Sequence, residues 1–177
     1  DKSNGNVGIG TNSPQTLLHM KSEGPTFTLE GTTHSYMQFY PQTLSGGRKA
    51  YFGYSYSNSN DFVFINETSS GKISFGTNSA DRLTITGAGN VGIGTTPDTY
   101  HSSVYALQFT NGAIVTETTT GASKSFTLAY NQYIDSGNAW TYINADEASY
   151  YQQYNGTHAF STAAAGSADG DVTNNVR

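Results

Sequence analysis

Gly5-Asn6-Val7-Gly8-Ile9-Gly10-Thr11 returns without a change as Gly89-Asn90-Val91-Gly92-Ile93-Gly94-Thr95. An identical seven-residue phrase at two places points to two modules in series. Val and Ile alternate with Gly in each copy, so an extended strand would carry β-branched groups on one face and no side chain on the other. Glycine weakens a strand unless another backbone approaches closely. The bare face therefore predicts tight packing against a neighbouring segment, from this chain or from an identical one. Val7, Gly8, Ile9 and Gly10, with Val91, Gly92, Ile93 and Gly94, are the residues of that packing contact.

Composition leads the same way. Of the 177 residues, 35% are hydrophobic and 12% charged, yet there are 13 Tyr and 9 Phe. That is little apolar material for a large private core, and too many aromatic residues for a disordered chain. Polar β-structure whose apolar faces are completed by partner chains reconciles the two. A net charge of -5 leaves no basic stripe for a phosphate backbone, so nucleic acid is not an expected partner. The absence of Cys removes disulfides and thiolate metal sites. No apolar run approaches the roughly 18 residues of a membrane helix, so no membrane insertion is expected. The start at Asp1, with neither an initiator Met nor a signal-peptide pattern, reads as a piece of a longer protein.

Short alternating segments separated by turn residues predict an all-β fold. In a first module, 1–88, strands are expected near 7–11, 17–21, 26–30, 36–40, 50–56, 62–66, 72–75 and 82–86. Turn signals stand at 23–25, 45–47, 58–61, 69–71 and 87–89. In a second module, 89–162, strands are expected near 106–109, 113–118, 125–130, 140–144, 150–154 and 158–161, with one helical turn within 145–151. Residues 163–177 have little to bury and read as a polar tail or linker.

The repeated phrase followed by Pro14, and then Leu17-Leu18-His19, resembles a module of bacteriophage tail fibres and tailspikes. Arg82-Leu83-Thr84-Ile85-Thr86 ahead of the second copy and Tyr51-Phe52-Gly53-Tyr54 belong to the same pattern. Tyr150-Tyr151-Gln152-Gln153, Gly156-Thr157-His158 and Ala165-Gly166 are similar to distal segments of such fibres. The resemblance implies an elongated, intertwined homotrimeric β-fibre of β-prism or triple-β-helix type. It also implies a place on the virion tail, outside the cell, with other tail proteins and a host cell-surface glycan or protein receptor as partners. In many relatives an intramolecular chaperone domain follows and is cut away; nothing in this chain matches it.

Several motifs bear on chemistry. Gly87-Ala88-Gly89-Asn90-Val91-Gly92 fits G-x-G-x-x-G, but the following Ile93-Gly94-Thr95-Thr96-Pro97 is a poor helix start, which argues against a dinucleotide site. A polysaccharide depolymerase, the alternative to a fibre, would need two carboxylates roughly 5 to 9.5 Å apart. Asp135 with Asp146 or Glu147, near Trp140, is the pair to test. A bacterial surface adhesin is a further alternative. His19, His34, His101 and His158 lack metal-pair spacing, although a three-fold axis would triple any one of them. No cofactor, resident metal or catalytic residue is expected.

Aromatic residues among amides are the usual surface for sugars, because rings stack on C–H faces while amides bond hydroxyls. Trp140, Tyr142, Tyr150, Tyr151 and Tyr154, near Asn138, Asn144, Gln152, Gln153 and Asn155, form the expected receptor or glycan contact. Phe52, Tyr54 and Tyr56 share a strand face and are the second such group.

Overall fold

The computed structural model describes residues 5–57, 60–118 and 124–176, so Asn58 and Ser59 of the expected turn at 58–61 lie outside the described residues. The fold is all-β, in two compact units, Asp1–Ile65 and Asn66–Arg177. The 88/89 position suggested by the repeat falls inside a continuous sheet of the second unit.

In the first unit, β1 (Val7–Ile9) pairs in parallel with β2 (Leu18–Met20). A separate antiparallel sheet has the order β3 (Ser35–Phe39), β4 (Ala50–Tyr54), β5 (Val63–Asn66), with a 3-10 turn at Leu44–Gly46. The expected strand at 26–30 is absent. Its alternation is strand-like, but Phe27 and Leu29 are exposed and these residues join no ladder among those described.

The second unit is an open nine-stranded sheet with a two-stranded ribbon. Its strands are β6 (Ile73–Thr77), β7 (Ala80–Ile85), β8 (Val91–Ile93), β9 (Val104–Phe109), β10 (Gly112–Glu117), β11 (Ser125–Tyr130), β14 (Ala148–Tyr154), β15 (Thr157–Ala163) and β16 (Asn175–Val176). The ribbon is β12 (Gln132–Ile134) with β13 (Trp140–Tyr142). Sheet order is β16-β15-β14-β11-β10-β9-β8-β7-β6, and only β8 with β9 is parallel among the paired strands of this sheet. The helical turn expected within 145–151 is replaced by the start of β14, whose residues are held in ladders on both sides.

The sequence repeat is also a structural one. Each copy forms a strand, a tight turn and a parallel partner: Val7 opposes Leu18 and Ile9 opposes Met20, while Val91 opposes Leu107 and Ile93 opposes Phe109. A Cβ on Gly8 would meet the Thr11 carbonyl oxygen at 2.3 Å, and one on Gly92 would meet that of Thr95 at 2.2 Å. Gly10 and Gly94 take positive φ, +74° and +71°, which ends each strand. The close approach that the glycines require is thus supplied at these two positions by the chain itself. Asn90, buried, accepts a hydrogen bond through Oδ1 from the Ala106 N–H at 2.9 Å and ties strand to partner.

One face of the central strands is covered. Val104, Ala106, Ala113 and Val115 pack with Tyr100 and Tyr133, against which Ile134 and Ile143 of the ribbon region lie. A second cluster joins Tyr142, Ala148 and Ala163 with Val172. Residues 164–174, expected as a tail, dock here through backbone bonds: Tyr142 N–H to Gly170 O, Asp169 N–H to Tyr142 O, and Val172 N–H to Trp140 O. Counting apolar side chains misses such docking, because main-chain groups hold it. Buried Gln108 is satisfied by Asp98, donating to its carboxylate at 2.6 Å and accepting from its N–H at 2.8 Å.

Candidate functional site

The opposite face of the nine-stranded sheet carries the large apolar side chains. Strand alternation puts Tyr105, Leu107 and Phe109 there, back to back with buried Val104, Ala106 and Gln108. Following register from strand to strand, Ile73, Ile85, Val91, Leu107, Ile114, Leu128, Tyr151 and Phe160 stand opposite one another in one unbroken row across eight strands. At about 4.8 Å per strand the row is roughly 34 Å long. Flanking rows add Phe75, Leu83, Ile93, Phe109 and Tyr130 on one side, and Tyr105, Phe126 and His158 on the other. None of these positions is Asp, Glu, Lys or Arg. Val91 and Ile93 therefore face this open side, as Val7 and Ile9 stand exposed in the first unit.

The expected aromatic contact set is divided by the same alternation. Tyr150 and Tyr151, adjacent on β14, must face opposite sides. Trp140 stacks on Tyr150, ring centroids 5.5 Å apart and planes 20° apart, and both are half-buried on the covered side. Tyr151 lies on the open face, its ring against His158 at 5.8 Å and Phe160 at 5.1 Å, and its hydroxyl bonded to His158 Nδ1. Tyr142 is buried; its hydroxyl donates to the Ala164 carbonyl at 2.5 Å, so it anchors the docked segment instead of meeting a receptor. Tyr154 stands at the tip of the β14–β15 hairpin beside Asn155 and Gly156, both at positive φ. A shallow cleft of about 330 Å³ opens there, with Phe126, Gln153, Tyr154, Asn155 and His158 in its wall. Phe126 joins this cleft only through its pairing with Gln153, which is why sequence proximity does not reveal it.

In the first unit, Phe52 sits among Phe39, Phe62 and Phe64, and Tyr54 meets Phe62 edge-on at 5.3 Å. On the other face of β4, Tyr51 is buried beneath the Arg48 guanidinium, 4.2 Å above its ring. Tyr56 is exposed beyond the strand.

Burial raises the Tyr100 phenol far above its ordinary range, with the Asp98 carboxylate adding to it, and Tyr133 is raised by the same two causes in the same order. The two rings meet edge-on at 5.6 Å. Asp81 is held low by Lys72, 2.8 Å away, and by Ser74. Asp135 accepts from the Ala139 N–H and closes the β12–β13 turn, as an Asx residue does. Asp146 and Glu147 belong to the loop at the other end of that ribbon, where the Asn131 amide donates to the Glu147 carbonyl. Asp135 and the Asp146–Glu147 pair thus stand at opposite ends of the β12–β13 ribbon. Gly87-Ala88-Gly89 forms the β7–β8 turn and leads into a strand, not a helix. Among the described residues no three His, Asp or Glu side chains gather as metal ligands.

No family model matches the chain, and comparison with curated proteins and with solved structures likewise finds no match.

Proposed function

We propose that this chain is a non-enzymatic structural and adhesive segment of a homotrimeric phage tail fibre, carried on the virion tail and attaching it to a bacterial surface. The tandem unit carries this reading: two identical phrases fold into the same strand, turn and parallel partner, with matching Gly-to-Thr approaches of 2.3 and 2.2 Å. The phrase that builds them is also the one that resembles the phage fibre module. Three chains in a β-prism arrangement would supply the apolar cover that the single chain lacks. Of the expected contact residues, the Trp140–Tyr150 stack and Tyr154, on the side of β14 away from the open row, offer rings beside amides for a host glycan. Three copies on one fibre would raise avidity without new contacts.

The test is binding of fluorescently labelled protein to a panel of intact bacterial strains. Saturable binding is expected, and its loss after periodate or after protease treatment of the cells would assign a glycan or a protein receptor. Absence of saturable binding to every strain at micromolar protein would count against attachment.

A further inference from the structure

We infer that the open face of the nine-stranded sheet is where copies of this chain meet, with the row from Ile73 to Phe160 at the centre of the contact. The inference rests on the oligomeric part of the function proposed above and moves the contact away from the glycines, whose close approaches at Gly8 and Gly92 are filled within the chain.

Area is the first reason. Phe75, Ile93, Tyr105, Phe109, Phe126, Leu128, Tyr130 and Phe160 range from 38% exposed at Ile93 to 61% at Phe160. For side chains of roughly 150–250 Å² that leaves on the order of 700 Å² of apolar surface in water. Patches on monomeric proteins reach about 300–600 Å². A stable interface takes about 800 Å² from each partner.

The distribution of residue sizes says which partner. The largest fully buried side chains are Gln108, Gln132 and Asn131, and the covered clusters hold small residues such as Ala106, Ala113 and Ala163. The bulk of the apolar side chains therefore lies on the face that the chain does not cover. Strands apolar on both faces belong to sheets buried on both faces. A cover that the fold needs at all times must be present in proportion to the chain, and another copy of the chain is. Absence of Asp, Glu, Lys and Arg from the three rows, with His158 Nδ1 bonded to the Tyr151 hydroxyl, suits an apolar, self-complementary contact.

The chain has no Cys, so a single introduced thiol reports cleanly. Thr116→Cys places it on the open face between Tyr105 and Phe126, and Ser70→Cys places a control in an exposed turn. Light scattering on the parent should give a multiple of 18.9 kDa. In that oligomer, the thiol of Thr116→Cys should react with a maleimide-polyethylene glycol reagent at least tenfold more slowly than that of Ser70→Cys, and equally fast after denaturation. Leu128→Arg, at the middle of the row, should reduce the mass to one chain; should it fail to fold, the thiol rates decide alone. An oligomer in which both thiols react equally fast would overturn the face while leaving the fibre reading intact. A parent monomer would overturn both. A monomer whose Thr116→Cys thiol is protected only by added phosphatidylcholine vesicles would overturn the proposal in favour of a lipid surface. Protection without any cell binding would uphold the face and count against attachment.

Discussion

Gly92 and Thr95 pass so close that a Cβ on Gly92 would sit 2.2 Å from the Thr95 carbonyl oxygen, with the Pro97 ring at 2.8 Å on the same side. No side chain fits there, and the turn is held where it starts by the Gly94 N–H donating to the Arg82 carbonyl of β7 at 2.9 Å. Gly92→Ala should destabilise the protein by about 1–3 kcal/mol, lowering the melting temperature by roughly 2–4 °C per kcal/mol. Gly94→Ala, with open space but a φ of +71°, should cost about 1 kcal/mol. Thermal unfolding followed by circular dichroism tests both, and an unchanged melt for Gly92→Ala would refute the contact.

Asn90 links the repeated strand to its parallel partner through the Ala106 amide. Asn90→Ala would leave that buried N–H without its acceptor, at a cost of about 1–3 kcal/mol. Hydrogen exchange should quicken at Ala106 more than at amides of β14 and β15. Uniform quickening would mean that the bond has no local role.

Alkaline pH should unfold the protein through Tyr100 and Tyr133. Both phenols are raised in the folded state, by burial first and then by the Asp98 charge. The unfolded chain releases these protons near pH 10, while the folded chain keeps them. Stability is therefore intact below that range and falls as pH rises through it. Tyr100 Oη is buried without a hydrogen-bond partner among the described residues, so Tyr100→Phe should leave stability at pH 7 unchanged or higher by about 1 kcal/mol. Urea midpoints from pH 7 to 11 should fall less steeply for Tyr100→Phe. Identical profiles would exclude Tyr100 as the titrating group.

Trp140 is the only tryptophan, so its emission reports directly on the stack with Tyr150. If that stack meets a glycan, binding of the receptor sugar should shift the emission. Trp140→Ala should leave the solution mass unchanged while weakening cell binding about tenfold, about 1.4 kcal/mol. Full binding by Trp140→Ala would remove the residue from the contact surface.

Much of the local plan is legible in the chain. Expected strands near 36–40, 50–56, 113–118 and 125–130 correspond to β3, β4, β10 and β11. The β12 strand, Gln132–Ile134, is missed because three residues are too few for a period, and 26–30 is over-read because alternation cannot report whether a ladder partner exists. For the candidate site, Trp140 and Tyr150 are recognisable as rings near amides, but their stacking is not. Tyr142 looks equally eligible and is buried.

Strand character and turn positions are written locally: two-residue alternation and residues such as Asn155 and Gly156 act over a few bonds. The doubled phrase likewise announces a doubled unit, and the same turn closes on itself in both places. Which face of each strand stays open is not local. Phe126, Leu128 and Tyr130 alternate with Thr127 and Ala129, and by size alone the larger set should be inside. The small set is inside because Tyr100 and the β12–β13 ribbon cover that side, and long-range pairing then lines up Ile73 with Phe160 through six intervening strands. A side chain's period says that a strand has two faces; only the partners brought from distant parts of the chain decide which one is shielded from water.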